Sequence, residues 1–513
     1  MKTLISNARI WLGRNYYASH IGFDDESGKI EFVGNSDSLS KCKIDFDEIL
    51  NLPDKLVIPA FHDGHCHLLA GAILNSHLDL RAASTIKDFT DSIKNYSREN
   101  TGQWTCGGYF SDSNFVEHIP LGLDFFNSIE SEKPLFIPRF DLHSAFVNSK
   151  ALELSGIMNK SGLFTRDELI YDENGNPTGE LKERAMEYVQ SVIPQKSLSE
   201  KSQLLKNQIA KLHSLGITAV TDIVRRPDLE VYKLLLEKNE FGLFDYAVLP
   251  FSEFENIETI KKEFAEFRSA IVFKCFKAFY DGSLSSKTAL MHGNYKGTNH
   301  CGIRTEFVDS GSFDKYFEMI DLADYGMAVH AIGDKAVTEL LDKIGNLNKK
   351  SGIRPRRFRI EHAQHIQPAD FERFRILNII ASVQPGHLSN DAKTSEEILN
   401  DISIVHNYRE LLSRGVTINF GTDFPVIIEN PFETIYYALT RAGLPGDPFT
   451  PDECLDAYTK ANAYATYTEE TRGYLKPGFI ADLVITENLF EMNFEEIKKC
   501  KVIMTFKNGK RVY

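Results

Sequence analysis

The sequence contains no Cys-x-x-Cys pair. Its seven cysteines, Cys42, Cys66, Cys106, Cys275, Cys301, Cys454 and Cys500, stand singly along 513 residues. An odd, dispersed set of this kind argues for reduced thiols and a cytoplasmic compartment. There is no apolar run of about 18 residues, so no membrane span is expected. The first ten residues carry an early lysine, Lys2, but no apolar core long enough for a signal peptide. No dense Lys/Arg block occurs, and the formal net charge is −14. Phosphate backbones need a basic face, so nucleic acid is not an expected partner. Repeats and low-complexity segments are also absent.

What is present points to a large soluble enzyme-sized chain. The length exceeds one simple domain and suits a barrel of ~250–400 residues with a smaller companion. Both ends read as short strands with turns: Leu4 to Trp11, Lys29 to Gly34, Ala481 to Thr486, and Val502 to Tyr513 with an Asn508-Gly509 hairpin signal. Neither end holds enough apolar residues for its own core. One composite β-sandwich from residues 1–56 and 471–513 is therefore expected. Between them, apolar strand candidates alternate with helix candidates: Ile217 to Asp222, Ala270 to Lys277, Met327 to His330, Phe358 to His362, Ile379 to Val383 and Val416 to Phe420. That rhythm predicts an α/β fold, a distorted TIM-like (β/α)8 barrel over residues 57–470. Residues 72–200 exceed one βα unit and are expected to be an insertion that shapes the pocket.

The first barrel run is Leu56-Val57-Ile58-Pro59-Ala60-Phe61-His62-Asp63-Gly64-His65-Cys66-His67. A continuous apolar run suits a parallel strand buried on both faces. Positions two apart share a face, so His65 and His67 point together while Cys66 and His62 turn elsewhere. Two converging imidazoles can chelate a divalent ion. Lys277 ends a later strand. Buried near a metal, its pKa would fall and the neutral amine could take up carbon dioxide as a carbamate. The alternative is a lysine paired with Asp281. His330 and His362 sit at further strand ends, each either a ligand or a hydrogen-bonded core histidine. Asp423 follows the last strand, as a helix cap or as a group that takes a proton from activated water.

Taken in order, these residues resemble the amidohydrolase superfamily, in particular its N-substituted formamide deformylase-like branch. The resemblance runs through Arg139-Phe140-Asp141-Leu142-His143-Ser144, Lys277 to Ser283, Val329-His330-Ala331-Ile332-Gly333-Asp334 and Arg359-Ile360-Glu361-His362-Ala363-Gln364. It continues through Gln384-Pro385-Gly386-His387, Gly421-Thr422-Asp423-Phe424-Pro425 and Gly478 to Val484. It implies a barrel with a composite sandwich. It also implies that His65, His67, His330, His362 and Asp423 bind metal, with Lys277 as a carbamylated bridge. Zn2+ is the expected ion, one or two per chain, because imidazole and carboxylate ligands suit it. The chain departs from the family at Ser285 and Lys287, where Gly and Arg are usual, which bears on the pocket loop and substrate choice.

The expected reaction is hydrolysis of a C–N bond in an amide or N-formyl amide by metal-activated water. Asp423 is the expected proton acceptor and donor. His143 is either an oxyanion or substrate contact or a structural hydrogen bond. Two other readings are a non-catalytic regulatory or binding barrel and a mononuclear deaminase. The expected partner is a small-molecule amide, and a homodimer is the default assembly.

Overall fold

Eight short strands in one sheet carry the molecule: β1 (Phe61–Cys66), β2 (Ile217–Ile223), β3 (Phe244–Pro250), β4 (Ile271–Phe279), β5 (Gly326–Ala331), β6 (Arg359–His362), β7 (Ile380–Val383) and β8 (Ile418–Phe420). Each pairs in parallel with the next, so spatial order follows chain order. Parallel neighbours need crossovers, and helices such as Leu229–Glu237, Ser312–Leu322 and Asp334–Ser351 supply them. Every residue of β1, β5, β6, β7 and β8 is buried, as a sheet covered on both faces requires. The class is α/β, with a nearly closed eight-stranded parallel barrel. This computed structural model describes residues 1–99, 102–111, 115–117, 121–139, 142 and 144–513.

The first and last barrel strands share no ladder, yet they are tied together. The His67 N–H donates to the Phe424 carbonyl and the Asp423 N–H to the His65 carbonyl, each at 2.7 Å. Buried Asp63 accepts from the Thr422 N–H at 2.9 Å and from its hydroxyl at 2.5 Å. The Asn462 amide donates to the carbonyls of His62 at 2.6 Å and Phe420 at 2.9 Å, stapling both strands. The approach is close enough to demand glycine. A Cβ on Gly64 would lie 2.6 Å from the Phe420 carbonyl oxygen, and one on Gly421 would lie 2.4 Å from the His65 nitrogen.

The apolar run Leu56 to His67, expected as one strand, is two. Leu56–Pro59 pairs antiparallel with Leu483–Thr486 in the terminal sheet, and only Phe61–Cys66 enters the barrel. Pro59 ends the first segment and lacks the donor that would continue it. The terminal sheet has eight strands drawn from residues 2–59 and 483–511. It divides at Lys2–Gly13, which pairs with Glu48–Asn51 near its start and with Leu56–Pro59 further on. Its core mixes both ends of the chain: Phe23 meets Phe506 at 5.0 Å between ring centroids. Asn508 and Gly509, at φ +50° and +73°, make the hairpin turn.

The chain divides into two compact bodies, residues 1–69 with 205–513, and residues 70–204. The second has its own six-stranded sheet and an aromatic core including Phe89, Phe110, Phe126 and Phe146. Among the described residues no helix is long and apolar enough to cross a membrane.

Candidate metal centre

Parallel strands bring all their carboxyl ends to one mouth of the barrel, which is where such folds place their chemistry. His65 is the penultimate residue of β1 and His67 follows that strand. Lys277 lies near the end of β4, His330 near the end of β5, His362 ends β6, and Asp423 lies three residues past β8.

His65 Nε2 and His67 Nε2 lie 3.3 and 3.4 Å from the same oxygen, Asp423 Oδ1. Two donors each ~2.1 Å from a tetrahedral ion stand ~3.4 Å apart, so this spacing is that of a ligand shell. One ligand atom each from His65, His362 and Asp423 lie within 4.8 Å of one another, and all three residues are buried. The His65 and His362 ring centroids are 5.0 Å apart, and those of His330 and His362 4.6 Å. Among the described residues, His65 Nε2 is buried with no hydrogen-bond partner. A buried polar atom without a partner is costly, and a cation would satisfy it. The donor set therefore fits a divalent ion.

Neighbouring residues set the orientation of the rings. Glu361 Oε2 accepts from His65 Nδ1 at 2.5 Å, and Gln384 Oε1 accepts from His362 Nδ1 at 2.8 Å. With Nδ1 carrying the proton on each ring, the Nε2 lone pairs are left for a metal. Burial, reinforced by His330, takes the His362 pKa well below the ordinary value and keeps it in the neutral ligating form. Burial and Lys277 push His65 down, but the Glu361 and Asp423 carboxylates prevail and its net shift is upward. Burial would raise Asp423; the imidazoles of His65, His387 and His67 hold it well below the usual carboxylate range.

Lys277 is buried, and among the described residues its amine has no hydrogen-bond partner. It lies 4.8 Å over the Phe279 ring. Burial lowers its pKa to about 8 against the opposing pull of Glu361 and Asp423. The pairing with Asp281 does not form: that carboxylate accepts from the backbone amides of Leu290, Ile332 and Gly333 at 2.9, 3.0 and 2.8 Å. Asp423 caps no helix either; the next one, Pro431–Thr440, is capped by Asn430. His330 differs from the rest of the set: its Nε2 lies 3.1 Å from the Gly282 carbonyl oxygen and 3.6 Å from Asp281 Oδ1. His62 turns away, as its offset implies, and contacts Thr221 Oγ1 at 3.0 Å. His143 and His118 lie outside the described residues.

The sequence profile of the amidohydrolase family matches residues 48–513. The chain belongs to the amidohydrolase family. This amidohydrolase is 28% identical over 511 residues to Protein LONG AFTER FAR-RED 3 of Arabidopsis thaliana, spanning 95% of its own chain and 87% of that protein. It is 23% identical over 520 residues to N-substituted formamide deformylase of Arthrobacter pascens, spanning 94% and 93%. Among solved structures, an uncharacterized metal-dependent hydrolase from Pyrococcus horikoshii is 24% identical with a TM-score of 0.75, covering 97% of this chain and 99% of that one. That likeness shows the fold.

Three residues of this amidohydrolase stand in the centre without having been singled out by sequence reading. His387 Nε2 lies 3.3 Å from Asp423 Oδ2, the oxygen that faces away from His65 and His67. The Gln364 amide lies 3.2 Å from His387 Nδ1. Glu361 and Gln384 are the other two. Strand alternation would send Glu361 outward when His362 points in. The chain turns left-handed at His362, φ +72°, and both side chains reach the interior. Asp423 is left-handed too, at φ +58°. Non-glycine residues hold that conformation at a cost, typically where function requires it. The available signals were a carboxylate directly before His362 and the Gln384-Pro385-Gly386-His387 turn directly after β7.

Proposed function

We propose that this protein is a metal-dependent hydrolase that cleaves the C–N bond of a small-molecule amide or N-formyl amide, with Zn2+ as the working ion. The observation that carries the reading is the placement of one Asp423 oxygen at ligand-shell distance from two strand-end imidazoles. A divalent ion at this position supplies Lewis acidity, which activates water near neutral pH and polarises a carbonyl.

The chain's own residues do the rest. His65, His67, His330 and His362 would be the imidazole ligands, and Asp423 would add Oδ1. Oδ2 is then the oxygen that takes the proton of the attacking water as the new C–O bond forms. The same proton passes to the nitrogen as the C–N bond breaks, so an acid and an amine leave. His387 stands beside Oδ2 and positions it. Lys277 reacts as the free amine with carbon dioxide, releasing a proton and giving an anionic carbamate. Its lowered pKa and unpartnered nitrogen support that role. Carbamylation would replace a buried amine that has no hydrogen-bond partner among the described residues with an anionic acceptor group suited to a divalent ion.

The test is zinc-loaded full-length protein against a panel of N-formyl and N-acyl amides, with metal content measured in parallel. Hydrolysis that a chelator abolishes and zinc restores is the expected result. Far less than one ion per chain after gentle purification, with no turnover on the panel, would overturn the reading.

A further inference from the structure

The opposite mouth of the barrel carries a groove of about 740 Å³, formed by the starts of β3 and β4 with residues 261–269 and 466–472. That volume is ordinary for a small-molecule site. Its walls are aromatic. The buried rings of Phe264 and Phe273 meet edge to face at 5.2 Å, and Tyr246 and Tyr467 add two further rings. Tyr467 follows the helix Lys460–Ala465 at φ +59°, a left-handed position that glycine usually fills. A tyrosine holds that position here, and its ring lines the groove.

The charge on these walls is of one sign. No acidic residue lines the groove among those described, although the chain as a whole is at −14. Four cations do. Two are already engaged: Arg472 pairs with Asp482, and Lys261 donates to the Tyr325 hydroxyl at 3.1 Å and to Glu258 at 3.3 Å. The other two are held loosely: Lys274 makes a solvent-exposed ion pair with Asp324 at 3.9 Å and lies 5.4 Å over the Tyr325 ring, and Arg268 has no ion pair among the described residues. Aromatic walls with one unpaired and one loosely paired cation complement a planar apolar body that bears an anionic group.

We propose that this groove is a second ligand site, for a small aromatic acid whose ring system packs on the aromatic walls and whose anionic group meets Arg268 and Lys274. The histidines and Asp423 lie at the carboxyl mouth of the barrel and this groove at the amino mouth, so this ligand is an effector and not the hydrolysed substrate.

The probe is 1-anilinonaphthalene-8-sulfonate, an aromatic sulfonate that fluoresces when bound, titrated into the full-length zinc-loaded protein. N-phenyl-1-naphthylamine, the same ring system without the sulfonate, is the neutral control. One saturable sulfonate site is expected, and Arg268→Glu with Lys274→Glu should weaken it about tenfold or more while the neutral probe changes by less than about twofold. Tyr467→Gly should weaken both probes. The charge-reversed residues are on the surface, and unchanged melting shows that the variant is folded; Arg268→Gln alone serves if it is not. Sulfonate affinity unmoved by charge reversal, or equal loss of both probes in the charge-reversed protein, would overturn the proposal.

Discussion

Replacing Glu361 by glutamine separates the structural work of the barrel interior from its metal chemistry. The Glu361 carboxylate is fully buried, 2.5 Å from His65 Nδ1 and 3.2 Å from Arg359 Nε. Burial alone would raise its pKa; Arg359, His65 and Lys277 take it down to about 2. A glutamate moved by folding from its usual value near 4.5 to about 2 contributes roughly 3 kcal/mol. The folded value is the lower one, so that stability is present above pH ~4.5 and disappears as pH falls toward 2. Glutamine keeps the shape and removes the charge, leaving Arg359 without its carboxylate. Breaking a buried ion pair from one side costs about 3–5 kcal/mol, which agrees with the titration figure.

The second consequence concerns the ion. A glutamine oxygen can still accept from Nδ1 and hold the ring, but a neutral acceptor makes His65 a weaker base. Loss of such an orienting partner lowers metal affinity about 10–100-fold. Urea unfolding of chelated protein measures the first effect, and competition with a chromophoric chelator measures the second. A variant destabilised as expected but with unchanged zinc affinity would refute the role assigned to Glu361 in orienting His65. No change in either would refute the whole Arg359–Glu361–His65 chain.

Four further outcomes are expected. Asp423→Asn keeps an oxygen for the ion but not the proton acceptor, so turnover on the active amide falls ~10²–10⁴-fold with zinc still bound; an unaffected rate would discard the role. His387→Gln removes the imidazole beside Oδ2 and should lower kcat while zinc affinity measured by chelator competition stays within about threefold; a parallel loss of both would make His387 a ligand instead. Lys277→Met takes out an unpartnered buried amine, so chelated protein should be as stable as the parent or ~1–3 kcal/mol more so, with turnover gone and no response to bicarbonate; clear destabilisation in urea would argue that the amine is already satisfied. Asp245→Asn tests a buried acid pair on β2 and β3. Burial raises Asp222 to about 7, and burial with Asp222 raises Asp245 well above its ordinary value. Both folded values exceed the unfolded ones, so the pair's contribution is fully present below pH ~4 and is lost as pH rises through ~7. The variant should therefore gain ~1–4 kcal/mol on the parent between pH 5 and 8 in urea midpoints, and parallel pH profiles would count against it.

The barrel was legible because its strands are apolar runs at regular intervals, and the candidate ligands because His-x-His, Val-His, Glu-His and Thr-Asp stand where those runs stop. One strand escaped. Phe244-Asp245-Tyr246-Ala247-Val248-Leu249-Pro250 carries an acid at its second position and a proline at its end, and neither looks like a buried strand. Asp245 is nevertheless fully buried. Among the described residues neither of its oxygens has a hydrogen-bond partner, a state that only a protonated acid tolerates. The division of Leu56 to His67 between two sheets was hidden for another reason. Pairing partners at Leu483–Thr486, far along the chain, decide it, and no local pattern reports them. Glu361 reaches the interior through the left-handed turn at His362, which strand periodicity does not anticipate, and Gln384 precedes and His387 ends the short turn Pro385–His387 after β7.

The turn at Asp423 lies where the barrel closes, so the contacts that shut the cylinder fall on candidate metal ligands. β1 and β8 have no ladder to hold them; their contact is two backbone hydrogen bonds, from Asp423 to His65 and from His67 to Phe424, with Asp63 and Asn462 bracing them from behind. A donor pair on β1 and a carboxylate beyond β8 are thus held at 3.3 and 3.4 Å by the same few atoms that hold the cylinder shut. Opening the seam by an ångström would separate these donors by a similar amount and lose the spacing a tetrahedral ion requires. Conversely, an ion bound across the seam stabilises only the closed form, by RT ln(1 + [L]/Kd), about 2.7 kcal/mol at a hundredfold excess over Kd. The weakest joint of the barrel is therefore the one that ligand binding strengthens most, and Gly64 and Gly421 are the residues whose lack of a side chain lets the two strands come close enough for it.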